Sequence, residues 1–117
     1  MQGGEMKSDR ELLELAAKAM GRSIKSWNTQ HGIDVAVLDD DTFWQPLLKN
    51  HLTDCMGDAL RLACKLKLNV LQGDVSVFVE DEADVGESIV LGPNDDRMDA
   101  TRRAIVRAAA YIGEAMP

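Results

Sequence analysis

His51, Asp54, Cys55 and Asp58 fall within eight residues of one another, and all three residue types can ligate a metal. If this stretch is helical, His51, Cys55 and Asp58 share one face at i, i+4 and i+7. Zinc would accept such a set, but a structural zinc site uses four ligands, and the chain has neither a CxxC nor an HxxxH pair. The plainer reading is a helix start, with aspartates at the positive end of the dipole and a small buried cysteine. We therefore expect no bound metal and no cofactor, with His51, Cys55 and Asp58 as the candidate ligands were one to bind. Cys55 and His51 could also form a thiolate couple at a helix N-terminus. Two such residues without an orienting group or an oxyanion hole do not make an active site.

Two acidic runs offer oxygen ligands for calcium or magnesium: Asp39-Asp40-Asp41, and Glu80-Asp81-Glu82 with Asp84 and Glu87. Neither has the alternating pattern of an EF-hand loop. Solvated hairpin ends explain both runs, and charge at a sheet margin also discourages edge pairing. The chain contains no GxSxG, GxxxxGK[ST] or GxGxxG, so nucleophile elbows and phosphate cradles are absent. Arg97, Arg102, Arg103 and Arg107 would form a basic patch on one helix. With a net charge of −7 and no aromatic platform beside them, nucleic-acid binding is not expected. The same charge disfavours anionic membranes. No catalytic residue emerges, and we do not expect an enzyme.

The elements that would carry these residues fit one domain. The chain has 117 residues, of which 45% are hydrophobic, enough for a genuine core. No apolar run approaches the roughly 20 residues of a membrane span, and the N-terminus has no signal-peptide pattern. Cys55 and Cys64 sharing a helix would stand about 13 Å apart along its axis, too far for a disulfide, which fits a reducing cytoplasm. Residues 1–7 lack periodicity and are expected to be a disordered tail, leaving 8–117 as the domain.

Ser8 and Glu11 form a capping box ahead of Leu12, Leu13, Ala16, Ala19 and Met20, and Gly21 stands where a C-terminal glycine belongs. This predicts a helix over 9–20. Residues 23–28 and 33–37 read as a hairpin closed by Thr29-Gln30-His31-Gly32. Phe43-Trp44-Gln45-Pro46-Leu47 reads as an ordered loop pinned to the core. A second helix is expected over 54–67, with Met56, Ala59, Leu60, Ala63 and Leu66 or Lys67 inward, and 47–52 as either its extension or a turn of its own. Val75, Val77 and Val79 mark a strand and 88–91 a shorter one, joined by the acidic turn over 81–86. Gly92-Pro93-Asn94-Asp95 leads into a third helix over 96–114. Its inner face would be Met98, Thr101, Ile105, Ala108 and Ile112, with Arg103 and Arg107 outside and Asp99 pairing with Arg103. The expected architecture is α+β: helix, hairpin, helix, hairpin, helix, with one four-stranded antiparallel sheet. Leu13, Leu15, Ala16 and Lys18 recur as Leu60, Leu62, Ala63 and Lys65, a match that helix composition alone produces.

Three segments carry a resemblance: Asp9-Arg10-Glu11-Leu12-Leu13-Glu14-Leu15-Ala16-Ala17-Lys18-Ala19, Ala59-Leu60-Arg61-Leu62-Ala63, and Ala100-Thr101-Arg102-Arg103-Ala104-Ile105-Val106-Arg107-Ala108-Ala109-Ala110. With the Trp44-Gln45-Pro46-Leu47 step, the chain resembles small uncharacterised proteins encoded by tailed phages and prophages of Proteobacteria. The resemblance covers about half the chain and brings no catalytic residue with it. It implies an accessory protein in the cytoplasm of a bacterial host.

Two functions follow as expectations. The first is a non-enzymatic domain that binds a host or phage protein. The second is an acidic DNA mimic that occupies a nucleic-acid-binding host protein; a small enzyme or metal-binding protein comes third. Ser88-Ile89-Val90-Leu91 has three consecutive apolar residues, which cannot all face one side of a sheet. Phe78 opposes Val77 and Val79 in the same way. Phe78, Ile89, Val90 and Leu91 are therefore the expected interaction residues, and a homodimer through this hairpin is one expected partner arrangement.

Overall fold

A computed structural model describes residues 8–30, 33–47, 55–81, 86–92 and 96–116. The expected 1–7 tail, His31 and Gly32 of the first hairpin loop, the 48–54 stretch with His51, most of the second acidic turn and the Pro93-Asn94-Asp95 step lie outside them.

Along the chain run α1 (Asp9–Ala19), β1 (Ile24–Gln30), β2 (Ile33–Leu38), β3 (Phe43–Trp44), α2 (Cys55–Leu66), β4 (Asn69–Gln72), β5 (Ser76–Glu80), β6 (Gly86–Val90) and α3 (Arg97–Ala115). The α+β class and the three helices match the sequence reading. The single four-stranded sheet does not: the strands form two three-stranded antiparallel sheets, ordered β1-β2-β3 and β4-β5-β6. Two short strands account for the difference. Phe43 and Trp44 pair with Val37 and Ala36, so part of the expected loop is a third strand. Asn69–Gln72 pairs with Val77–Glu80, although its four residues show no apolar alternation.

Local chemistry sets the helix ends. The Glu11 N–H donates to the Ser8 hydroxyl at 3.2 Å, and the Glu11 carboxylate accepts from the Ser8 N–H at 3.2 Å. α1 closes with Gly21 at φ 77°, where the Arg22 N–H reaches the Ala17 carbonyl and the Gly21 N–H that of Lys18. α2 closes in the same way, but the left-handed position is held by Lys67 at φ 56°. Asp96 caps α3, its side chain accepting from the Met98 N–H at 2.9 Å.

α3 is the central element, packed against α1, α2, β5 and β6. The expected amphipathic face is too narrow. Thr101, Ile105 and Ala108 are buried as expected, but so are Ala100, Arg102, Ala104, Val106, Ala109, Ala110 and Gly113, while Met98 is exposed. Burial spreads over most of the helix and leaves an outer strip of Arg103, Arg107, Tyr111 and Glu114; alanines on its flanks let neighbours close in. α1 and α3 run in the same direction: Asp9 meets Arg103, Leu15 meets Gly113, and Lys18 Nζ donates to the Met116 carbonyl at 3.0 Å. A Cβ at Gly113 would strike the Leu15 carbonyl oxygen, so glycine is what permits this approach. In α2, Ala59, Leu62 and Ala63 face the core, while Leu60, expected inside, is half exposed.

The candidate site on the outer face of the second sheet

The chemistry-bearing residues of the sequence are taken up by the scaffold. Asp58 is only 6% exposed. One of its carboxylate oxygens accepts from the Gln45 N–H at 3.1 Å and the other from Arg61 at 2.9 Å. Gln45 continues the network, its amide donating to the Asp34 carbonyl at 2.6 Å and accepting from the Leu47 N–H at 2.8 Å. Asp58 thus pins the segment after β3 to α2, a job that uses both oxygens a metal would need. His51 lies outside the described residues; Cys55 opens α2. Among the described residues, no group of three His, Cys, Asp or Glu side chains could hold a metal ion. Cys64 is exposed and free.

The first acidic run is likewise occupied. Arg22 reaches Asp39 at 2.7 Å and Asp40 at 2.8 Å, and Lys25 pairs with Asp41. Hydrogen bonds from the Thr42 hydroxyl and N–H, together with Arg22, lower the Asp40 carboxyl to about 2. The Arg22 hydrogen bond holds Asp39 below the usual carboxylate range. Asp34 is held down first by Arg10 at 2.9 Å and then by Thr29. Arg10 also lies 4.8 Å over the Trp27 ring, fastening α1 to the first sheet.

The expected basic patch is dispersed. Arg102 is 4% exposed and pairs with Asp99 at 2.9 Å, in place of the expected Asp99–Arg103 pair. Arg103 turns to Asp9 at 3.4 Å. Arg97 donates to the Gln72 side chain and to the Asp74 carbonyl, both at 2.8 Å. Arg107 is half-buried.

A surface remains on the second sheet. Val77 and Val79 are buried, and they alternate with Ser76, Phe78 and Glu80 on the opposite face. Cross-strand register places Leu71 and Ser88 beside Phe78, and Val90 beside Ser76. Leu71 is 50% and Val90 74% exposed, and Val75 in the β4–β5 connection is exposed too. Of the expected interaction residues, Phe78 and Val90 occupy this outer face. Ile89 and Leu91 turn inward and pack partly against the core. Leu71 escaped the sequence reading because β4 did; the Gly73-Asp74 pair between two apolar stretches was the available turn signal. Val75, read as the first residue of the strand, precedes β5 and is exposed.

No family model, no curated protein and no solved structure matches this chain. Among the described residues, no helix is long and apolar enough to cross a membrane.

Proposed function

We propose that the chain is a non-enzymatic protein-interaction domain, an accessory protein of phage or prophage origin that acts on a host or phage protein in the bacterial cytoplasm. The observation that carries this reading is the apolar group of Leu71, Phe78 and Val90 on the outer face of the second sheet, with Val90 74% exposed. Apolar residues clustered on a solvent-facing sheet, with polar Ser76, Ser88 and Glu80 among them, have the make-up of a contact surface. The DNA-mimic reading draws less support. A mimic needs unpaired carboxylates in a continuous stripe, whereas Asp34, Asp39, Asp40 and Asp41 each have a basic partner.

Capture from a bacterial host lysate on immobilised protein tests the reading. A partner retained by the wild type and lost by Leu71→Lys/Val90→Lys, with the fold intact by circular dichroism, is the expected result. Equal capture by both proteins would place the contact elsewhere, and a turnover activity that survives the double substitution would replace the reading.

A further inference from the structure

We propose that a second copy of this chain pairs antiparallel with β6 about a twofold axis at Ser88, joining two three-stranded sheets into one of six strands. The inference rests on the protein-interaction reading and names one partner. The hydrogen-bond phase of the sheet carries it. The Leu91 N–H donates to the Val75 carbonyl at 2.7 Å, so residues 75 and 91 form a bonded pair. With the register Ser76↔Val90, Val77↔Ile89 and Phe78↔Ser88, bonded pairs then alternate, and Ile89 and Glu87 direct their backbone groups to β5. Gly86, Ser88 and Val90 direct theirs away from β5, to the open edge. β6 has β5 as its one neighbour, and among the described residues no backbone group bonds to that edge. β6 has no proline, no lysine and an exposed valine; its one charge, Glu87, lies on the inner face with Ile89, next to the residue at the axis.

The strand is complementary to itself in one register. With Ser88 opposite Ser88 of the second copy, each Val90 lies across from a Gly86, where no side chain competes for the space. Each Glu87 lies across from an Ile89. All three outward residues of each strand are bonded, and every pairing is reciprocal, as a twofold interface requires. A slip of two residues one way sets Glu87 opposite Glu87, and like charges directly opposed are unfavourable. A slip the other way pushes Gly86 past the end of the partner strand. The joined sheet also continues the Leu71, Phe78 and Val90 face across the axis. Two strands beneath each α3 would separate the two copies of that helix by about 10 Å, an ordinary packing distance.

The test uses the full chain. Sedimentation equilibrium at protein concentrations on the order of 100 µM, where a small interface is populated, should show a dimer. Ser88→Pro removes an N–H that the monomer does not use and should return the mass to the monomer with the helical signal unchanged. In a background with both native cysteines replaced by serine, Ser88→Cys should form a disulfide-linked dimer under mild oxidant, because bonded antiparallel pairs stand about 5.5 Å apart at Cα. Leu71→Cys, on the far edge strand, should link at least tenfold more slowly. A monomeric wild type, an unchanged dimer in Ser88→Pro, or equal linking at both cysteines would each overturn the pairing. Loss of this dimer would leave lysate capture through Leu71 and Val90 standing, so the two readings fail separately.

Discussion

Each half of the chain runs as a helix followed by a three-stranded antiparallel meander, yet the two central strands meet different surroundings. In β2, the consecutive residues Val35, Ala36, Val37 and Leu38 are all buried, so both faces of the strand are covered. In β5, burial alternates, with Val77 and Val79 inside and Phe78 on the open face. The first sheet is also tied to its flanks by charge: Arg10 to Asp34, Arg22 to Asp39 and Asp40, Lys25 to Asp41. In the second sheet Arg97 donates to the Gln72 side chain and to the Asp74 carbonyl, both neutral acceptors. The lesson is that the same connectivity can yield a structural sheet and a presenting one. The difference is set by what covers the second face of the middle strand.

The sharpest way to break this comparison is to place a charge on each sheet. Val35→Lys buries an ammonium where the wild-type residue is 0% exposed, and should cost more than about 4 kcal/mol, enough to unfold a marginal domain. Leu71→Lys sits on the outer face and should change stability by less than about 0.5 kcal/mol. Denaturant titration measures both. Comparable losses would mean that the second sheet is as covered as the first.

A smaller effect tests how the first half is held. α1 meets α3 backbone to backbone at Leu15 and Gly113. Gly113→Ala should cost about 3 kcal/mol, since the methyl group strikes a carbonyl and not a flexible side chain. An alanine variant that melts like the wild type would show that the helices can part without penalty.

Acid should act on the first sheet through its paired aspartates. Asp34, Asp39 and Asp40 all have carboxyls held below the ordinary range by Arg10, Arg22 and Thr42. The unfolded chain therefore binds protons more readily than the folded one. The stability these groups supply is present above the ordinary carboxylate range and is lost as the pH falls through their lowered values, which for Asp40 is about 2. Arg22→Gln should melt below the wild type at about pH 6, and the gap should close at about pH 2. A gap that persists in acid would assign the role of Arg22 to packing.

How much of this was legible depended on how local each signal is. The Ser8–Glu11 box and Gly21 lie within a few residues of what they bond, and the ends of α1 were readable from them; the start of α3 was read from the Gly92-Pro93-Asn94-Asp95 step, with Asp96 placed in the helix and not as its cap. Phe78 was readable as opposite to Val77 and Val79 because alternation is a property of the strand itself; for Ile89, Val90 and Leu91 the sequence said only that they cannot all face one side, and pairing with β5 turns Val90 outward. Leu71 was not, since Asn69–Gln72 becomes a strand only through pairing with β5. The Arg22–Asp39 bond spans 17 positions and has no sequence signature. Nor could alanine content say that α3 would be enclosed by four other elements, because alanine suits a solvated helix equally well. The acidic and basic residues looked like candidate sites for the same reason: their partners are brought in by tertiary structure.

The smallest expected effect compares the two helix-to-sheet junctions. α1 and α2 end in the same hydrogen-bonded turn, the first with Gly21 at φ 77° and the second with Lys67 at φ 56°. A residue with a Cβ is strained in this left-handed conformation, by about 1 kcal/mol. Glycine relieves that strain but gains freedom in the unfolded chain, so part of the benefit is returned. Lys67 is exposed. Lys67→Gly should therefore stabilise the domain by about 0.5 kcal/mol. The reverse change, Gly21→Lys, should destabilise it by about 1 kcal/mol, since nothing stands within 4 Å of a Cβ there and the penalty is purely conformational. Equal and opposite shifts in the denaturation midpoint at unchanged slope would show that the two junctions are energetically equivalent. A loss of stability in Lys67→Gly would mean that the lysine stem contributes packing at the entrance to β4.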